Sequence, residues 1–380
     1  MQFSFHNPTR IHFGQNQIAQ ITREIPSSAK VLVLYGGGSI KQNGVYDQVT
    51  QALSRHKWGE FAGIEPNPSV ETLDRAVAMV REQGFDYLLA VGGGSVIDGT
   101  KYVAAAARYE GYGWDILEGK HRVREALPLG AILTLPATGS ESNAASVITR
   151  TATHEKRSFY APAVHPKFAV LDPSVMRTLP ERQLKNGIVD AFVHVCEQYL
   201  SHNDQALVQD GYAEVLLRNL KQLAEQYDQH ETPQWRENLM WTANQALSGL
   251  IGAGVPHDWA THGIGHELTA QFNLDHAQTL AVVLPALLRE LQPQKESKLR
   301  QMGKNVFGLS GEALAERTIE AIEALFQSLG VKTRLSEYAI NRNDIVTQVV
   351  PALADHGTLP MGEQRNVDLA CCEAILLRAV

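Results

Sequence analysis

The chain has 380 residues, 44% of them hydrophobic and 20% charged, with a net charge of -7 at neutral pH. That balance suits a globular protein of roughly two domains, each of about 150–200 residues and each large enough for its own core. It argues against a general nucleic-acid binder, which would carry a basic face, and no apolar run is long enough to span a membrane.

The N-terminus, MQFSFHNPTRIHFG, lacks the basic and apolar regions of a signal peptide. Cys196, Cys371 and Cys372 form no framework of paired spacings. A reduced, cytoplasmic chain is the expectation.

Along the first half, strand-like and helix-like segments alternate. KVLVLYGGGS is a short apolar run ending in glycines, followed by a helical stretch around Val45–Leu53. EFAGIEPNPS reads as a second strand closed by a proline turn, and Ser69–Gln83 as an amphipathic helix. FDYLLAVGGGS and GAILTLPATGSES are further apolar runs. Uninterrupted apolar strands separated by helices imply a parallel sheet covered on both faces. After Leu179-Pro180 the texture becomes helical: Gln183–Ser201, Gln205–Gln226, Trp235–Ala253, Trp259–Ala270, Gln278–Leu291, Gly311–Leu329 and Asp344–Leu353. The expected fold is an α/β domain over 1–181 followed by an all-α domain over 182–380.

Two GGGS loops, Gly36–Ser39 and Gly92–Ser95, end two of these strands. Neither fits the G-x-G-x-x-G fingerprint or a Walker A loop, and glycine loops are common turns. The second, VGGGSVIDGTKYVAAAA, puts glycines where a strand meets a helix. Backbone N–H groups there attract phosphate, and glycine lets it approach. Two such loops on one sheet suggest a dinucleotide laid across the strand ends. The first loop, GGGSIK, lacks the acidic residue that holds a ribose 2'-hydroxyl; it offers Ser39 and Lys41 instead. That favours NADP(H).

The second half concentrates histidines. His262 and His266 are four apart in THGIGHE, and His276 follows in a loop or at the next helix start. In NGIVDAFVHVCEQYL, Asp190 and His194 are four apart on an otherwise apolar helix. Burying a carboxylate and an imidazole without partners is expensive, and a divalent metal supplies the partner. The Asp190–His194 spacing alone also suits an ordinary side-chain pair on one helical face. One oxygen and several nitrogens suit Fe2+ or Zn2+. Four histidines and an aspartate exceed one tetrahedral site, which leaves a histidine for proton transfer or substrate contact.

In combination, PTRIHFG, YGGGSIKQNGVYD, GIEPNPSVETL, LLAVGGGSVIDGTK, LTLPATGSESN, NGIVDAFVHVCEQY, GLIGAGVPHDWATHGIGHELTA and LDHAQTLAVVLP resemble the iron-containing, group III alcohol dehydrogenases over nearly the whole chain. The similarity is greatest to their butanol dehydrogenase and NADPH-dependent aldehyde reductase branch. The resemblance implies a dehydroquinate synthase-like fold, with a dinucleotide domain followed by a helical metal domain. It implies metal ligands at Asp190, His194, His262 and His276, and a catalytic role near the nicotinamide for His266. Cofactor contacts fall on Gly37, Gly38, Ser39, Gly93, Gly94, Ser95 and Asp98, on Thr134 and Thr138, on Lys156, and on Asn67. His257 receives no role.

The implied reaction is reversible hydride transfer between NADP(H) and small aldehydes or primary alcohols, with one Fe2+ or Zn2+. A homodimer is implied, with PTRIHFG available as an edge strand, and neither nucleic acid nor membrane is a partner. Trp259 and Phe159 are expected to offer apolar wall to the substrate. The alternative is a dehydroquinate synthase-like or glycerol-1-phosphate dehydrogenase-like enzyme of the same fold. Its phosphate-bearing substrate would want several basic residues, in which the motif-bearing segments are poor.

Overall fold

The computed structural model describes residues 1–201 and 206–380. The helix expected to start at Gln205 has that first residue outside the described residues and is seen over Leu207–Glu225. The chain divides into two compact units. One comprises His6–Pro180 with Glu231–Asn244; the other comprises Met1–Phe5, Glu181–His230 and Gln245–Val380. The exchanged segment forms most of the helix Pro233–Ala246, which stops short of the expected Ala253. Its membership of the first unit has a local cause. Asn244 Nδ2 donates to Glu141 Oε1 at 2.7 Å and to Ser142 Oγ at 2.9 Å, and the Trp241 ring meets Phe13 edge-on at 5.7 Å.

In the α/β unit the strands are β1 (Arg10–Phe13), β2 (Lys30–Tyr35), β3 (Lys57–Phe61), β4 (Tyr87–Gly92), β5 (Leu129–Leu133), β6 (Ala145–Arg150), β7 (Glu155–Tyr160) and β8 (Phe168–Leu171). Six of them form one parallel sheet in the order β1-β8-β5-β4-β2-β3. β4, β5 and β8 are buried along their whole length, as a sheet covered on both faces requires. PTRIHFG contributes the edge strand β1. The second strand falls earlier than EFAGIEPNPS, at Lys57–Phe61. β6 and β7 pair antiparallel outside this sheet, a hairpin that the apolar runs did not announce because only Ile148 and Phe159 are large apolar residues buried there.

The helix Val70–Gln83 starts where Ser69 accepts from the Thr72 N–H and stops at Gly84, whose left-handed backbone ends the turn. The helix Gly94–Ala106 leaves the second glycine loop and is buried over nearly its full length.

The helical unit is built on Glu181–Tyr199, Leu207–Glu225, Ala260–Phe272, His276–Glu290, Gln292–Asn305, Leu314–Ser328 and Leu369–Ala379. His276–Glu290 lies at its centre and touches five of the others. Its residues from Thr279 to Leu288 are all buried. It crosses Ala260–Phe272 closely: a Cβ on Gly265 would stand 2.8 Å from Thr279 Oγ1. That small residue lets two histidine-bearing helices approach. The expected single helix over Asp344–Leu353 is instead a short turn, a π-type segment at Ile345–Val349 and a helix at Val350–Asp355. Pro351, which has no N–H to donate, accounts for the break in the ladder. No helix among the described residues is long and apolar enough to cross a membrane.

Candidate metal centre and dinucleotide loops

On the helix Glu181–Tyr199, the residues Asp190, His194 and Glu197 follow one stripe at i, i+4 and i+7. All three are buried. The helix Ala260–Phe272 brings His262 against them. One ligand atom each from Asp190, His194 and His262 lies within 4.8 Å of the others. His276 is the first residue of the next helix, not a loop residue. Its Nε2 stands 3.7 Å from Asp190 Oδ1, and its ring 5.1 Å from that of His262. His266 is a ring further out, 5.7 Å from His276 and 6.3 Å from His262. Asp275 anchors this turn: its N–H donates to Gln278 Oε1 at 3.1 Å, and Asn186 Nδ2 donates to its Oδ2 at 3.0 Å.

The hydrogen bonds set where the ring protons sit. His194 donates Nδ1–H to the Asp190 carbonyl at 2.9 Å. Burial pushes its pKa down to about 4, against the pull of Asp190, so the ring is neutral and its Nε2 is bare. His262 Nδ1 is paired with Glu197 Oε2. With the carboxylate accepting there, His262 also turns a bare Nε2 toward His194, at 3.1 Å. Two lone pairs in that position repel one another unless a cation lies between them. One carboxylate oxygen and imidazole nitrogens are a donor set for Fe2+ or Zn2+, and the residues fit such an ion.

Sequence reading missed the groups behind these ligands. Glu197 Oε1 accepts the Thr261 N–H at 2.7 Å and the His262 N–H at 3.3 Å. Burial pushes its carboxyl up, against those two donors. Asp258 donates its N–H to the Glu197 carbonyl at 2.9 Å and accepts from the Ala260 N–H at 2.9 Å. Lys295 Nζ, itself buried, donates to Asp258 Oδ2 at 2.7 Å, to the Leu200 carbonyl at 2.9 Å and to Glu363 at 3.1 Å. The i, i+4, i+7 spacing could have flagged Glu197; nothing local marks Lys295 or Glu363. Trp259 has a left-handed backbone and meets the rings of His262 and His194 edge-on, at 5.4 and 6.2 Å. His257 acquires a role as a donor to the Gly252 carbonyl at 2.9 Å.

In the α/β unit, the loops after β2, β4 and β5 leave the carboxyl ends of three adjacent parallel strands. From β2 the chain goes out to β3 on one side and returns to β4 on the other, so the strand order reverses between the two GGGS loops. In open α/β sheets that reversal is where ligands bind. Gly37, Gly38 and Ser39 form the first loop, with Gly37 and Ser39 exposed. Gly93, Gly94 and Ser95 form the second, and Gly94 opens the helix. A Cβ on Gly94 would stand 2.5 Å from Thr138 Oγ1, so this loop and the loop after β5 approach closely because the residue is glycine. Thr134 N–H donates to the Gly92 carbonyl at 3.0 Å.

Asp98 is engaged by the chain itself. It accepts from Ser140 Oγ at 2.5 Å and from the Val147 N–H at 2.9 Å, and burial raises its pKa. Buried Lys101 completes this corner with bonds to Ser140, Asn143 and the Ala145 carbonyl, at 2.8, 3.0 and 2.7 Å. Lys156, on β7, donates to Asn67 Oδ1 at 2.9 Å, so these two expected contacts are joined to each other. Phe159 lies on the same strand, 9% exposed. Lys41 Nζ sits over the Tyr46 and Tyr35 rings at 4.6 and 5.2 Å, with Glu60 Oε1 at 3.5 Å.

Comparison with known proteins agrees with this architecture. The family model described as iron-containing alcohol dehydrogenase matches residues 8–173, and its C-terminal counterpart matches residues 185–379. The chain is 50% identical to the NADPH-dependent aldehyde reductase YqhD of Escherichia coli, covering 97% of this chain and 96% of that one. It is 41% identical to a probable NADH-dependent butanol dehydrogenase of Bacillus subtilis, covering 93% and 94%. The crystal structure of E. coli YqhD superposes with a TM-score of 0.97 at 48% identity, covering 100% of this chain and 99% of that one. The chain belongs to the iron-containing alcohol dehydrogenase family.

Proposed function

We propose that the protein is a metal-dependent, NADP(H)-linked alcohol dehydrogenase and aldehyde reductase, interconverting small aldehydes and primary alcohols such as butanal and butanol. Membership of its family makes it an oxidoreductase of the alcohol dehydrogenase and aldehyde reductase class. The observation that carries the finer reading is the convergence of Asp190, His194 and His262 within 4.8 Å, with His276 beside them.

When bound, the cation supplies Lewis acidity at the substrate oxygen, and the nicotinamide supplies or accepts hydride. The chain's own residues do the rest. Asp190, His194, His262 and His276 hold the ion, and Fe2+ and Zn2+ both suit them. His266, half-buried one ring away, delivers the proton that the substrate oxygen takes up when hydride reaches the carbonyl carbon, and removes it in the reverse direction. Trp259 covers the ligand rings with apolar surface, which suits a small apolar carbonyl over a charged one.

Gly93, Gly94 and Ser95 present backbone N–H groups to the pyrophosphate, with Thr134 and Thr138 alongside. Asn67 and Lys156 serve the cofactor as a hydrogen-bonded pair, and Asp98 acts through the segment it ties down. Gly37, Gly38 and Ser39 receive the adenosine end, and Lys41 attracts the 2'-phosphate. The NADP(H) preference rests on that loop, because relatives named as NADPH-dependent and as NADH-dependent both match the chain. We include a homodimer paired through β1, tested by mass in solution. The reaction itself is tested by NADPH absorbance: butanal should be consumed in proportion to NADPH, with NADH a poor substitute.

A further inference from the structure

We infer that Glu197 is a positioning residue for the metal centre: its carboxylate keeps the His262 proton on Nδ1 and thereby leaves Nε2 bare for the cation. The inference rests on the proposed metal-dependent function and adds to it a group that determines whether a ligand can bind.

The argument is one of hydrogen-bond direction. Imidazole carries its proton on one nitrogen or the other, and the partner of the first decides whether the second can bind a cation. Glu197 is buried, and its two oxygens have different tasks. Oε1 accepts the N–H groups of Thr261 and His262, at 2.7 and 3.3 Å, where the helix Ala260–Phe272 begins. Those donors fix the orientation of the carboxylate. Oε2 is then held on His262 Nδ1. The Asp258 N–H, which donates to the Glu197 backbone carbonyl at 2.9 Å, ties the same turn to the helix that carries Asp190 and His194. One side chain therefore caps the helix and orients its first histidine.

The geometry makes an unusual forecast for the isosteric variant. In Glu197→Gln, the two backbone N–H groups still demand an acceptor, so the amide oxygen takes the Oε1 position. The amide NH2 then faces His262 Nδ1 and forces that nitrogen to accept. The proton moves to Nε2, where it blocks the cation. Turning the amide over would point NH2 at two N–H donors and lose both bonds. Glu197→Ala and Glu197→Met remove the charge and, unlike Gln, the cap as well, but they present no donor, and His262 stays free to keep its proton on Nδ1.

The test is Zn2+ affinity of the full chain, measured in competition with a chromophoric chelator, alongside thermal unfolding of the same proteins. Outer-shell partners of metal ligands are typically worth about 10–100-fold in affinity. Glu197→Ala and Glu197→Met should weaken Zn2+ by about 10-fold, and Glu197→Gln by about 100-fold. Thermal stability should rank the other way, because Gln keeps the helix-capping acceptor. A purely structural role would make the two rankings agree. Met fills the pocket and keeps the comparison open if Ala does not fold. If Glu197→Gln binds Zn2+ as tightly as Ala or Met, the inference is overturned while the metal centre stands. If the wild-type chain reduces butanal without binding a divalent cation, the proposed function fails, and this inference with it.

Discussion

The Nε2 atoms of His194 and His262 face each other at 3.1 Å, each on a ring whose Nδ1 is occupied elsewhere, by the Asp190 carbonyl and by Glu197. The two rings come from helices far apart in sequence, and each is oriented by its Nδ1 bond. A cation completing this pair has little rotamer freedom left to remove.

Replacing His276 by alanine should abolish both metal retention and carbonyl reduction. His276 opens its helix with Nε2 3.7 Å from Asp190 Oδ1, close enough for both to share an ion. Loss of a ligand should exceed the roughly 10–100-fold penalty of an outer-shell change. Metal analysis after dialysis, with NADPH oxidation on the same sample, checks it; full metal content and turnover would show that His276 is not a ligand.

His266→Gln should behave differently. His266 lies 5.7 Å ring-to-ring from His276 and serves proton transfer in the proposed mechanism. Metal content should persist while turnover falls by about 10²–10⁴-fold, the range for losing a general acid. A variant that lost its metal instead would make His266 a ligand.

Ser39→Asp should reverse the cofactor preference. The loop after β2 offers Ser39 and Lys41 to a 2'-phosphate, and a carboxylate there would repel that phosphate and accept from a 2'-hydroxyl. We expect kcat/KM for NADPH to fall at least about 10-fold, which needs only ~1.4 kcal/mol of repulsion, with NADH gaining. Unchanged selectivity would place the 2'-phosphate elsewhere.

Glu363 should give the fold a pH dependence. Burial, together with its bond to Asp258, pushes its pKa up to about 7, with Lys295 opposing. The folded state then holds a proton that the unfolded state releases near pH 4.5. Stability from this group is full below that value and is lost as pH rises to about 7. Thermal unfolding between pH 4.5 and 7 should show that decline in the wild type and a flatter profile in Glu363→Gln. Identical slopes would remove Glu363 as the cause.

Much of this was legible in the residues. Val31–Tyr35 and Tyr87–Val91 read as buried parallel strands because both sheet faces are covered, so nothing polar interrupts the run. Asp190, His194 and His262 stood out because polar side chains in apolar helices need partners. What the sequence withheld is long-range pairing. Ser140 reaches Asp98 and Lys295 reaches Asp258 across tens of residues, and no local pattern encodes either. The helix Pro233–Ala246 reads like its neighbours, and long-range contacts such as Asn244 on Glu141 and Trp241 on Phe13 reveal which unit holds it. The hairpin β6–β7 was hidden because its strands are mostly polar.

The most direct test of the central claim is NADPH oxidation with butanal before and after exhaustive treatment with a chelator, with iron and zinc measured on each sample. The account predicts that activity falls in step with metal content and returns on adding Fe2+ or Zn2+, with NADH a weak substitute throughout. Full activity in a protein stripped of both metals would contradict it.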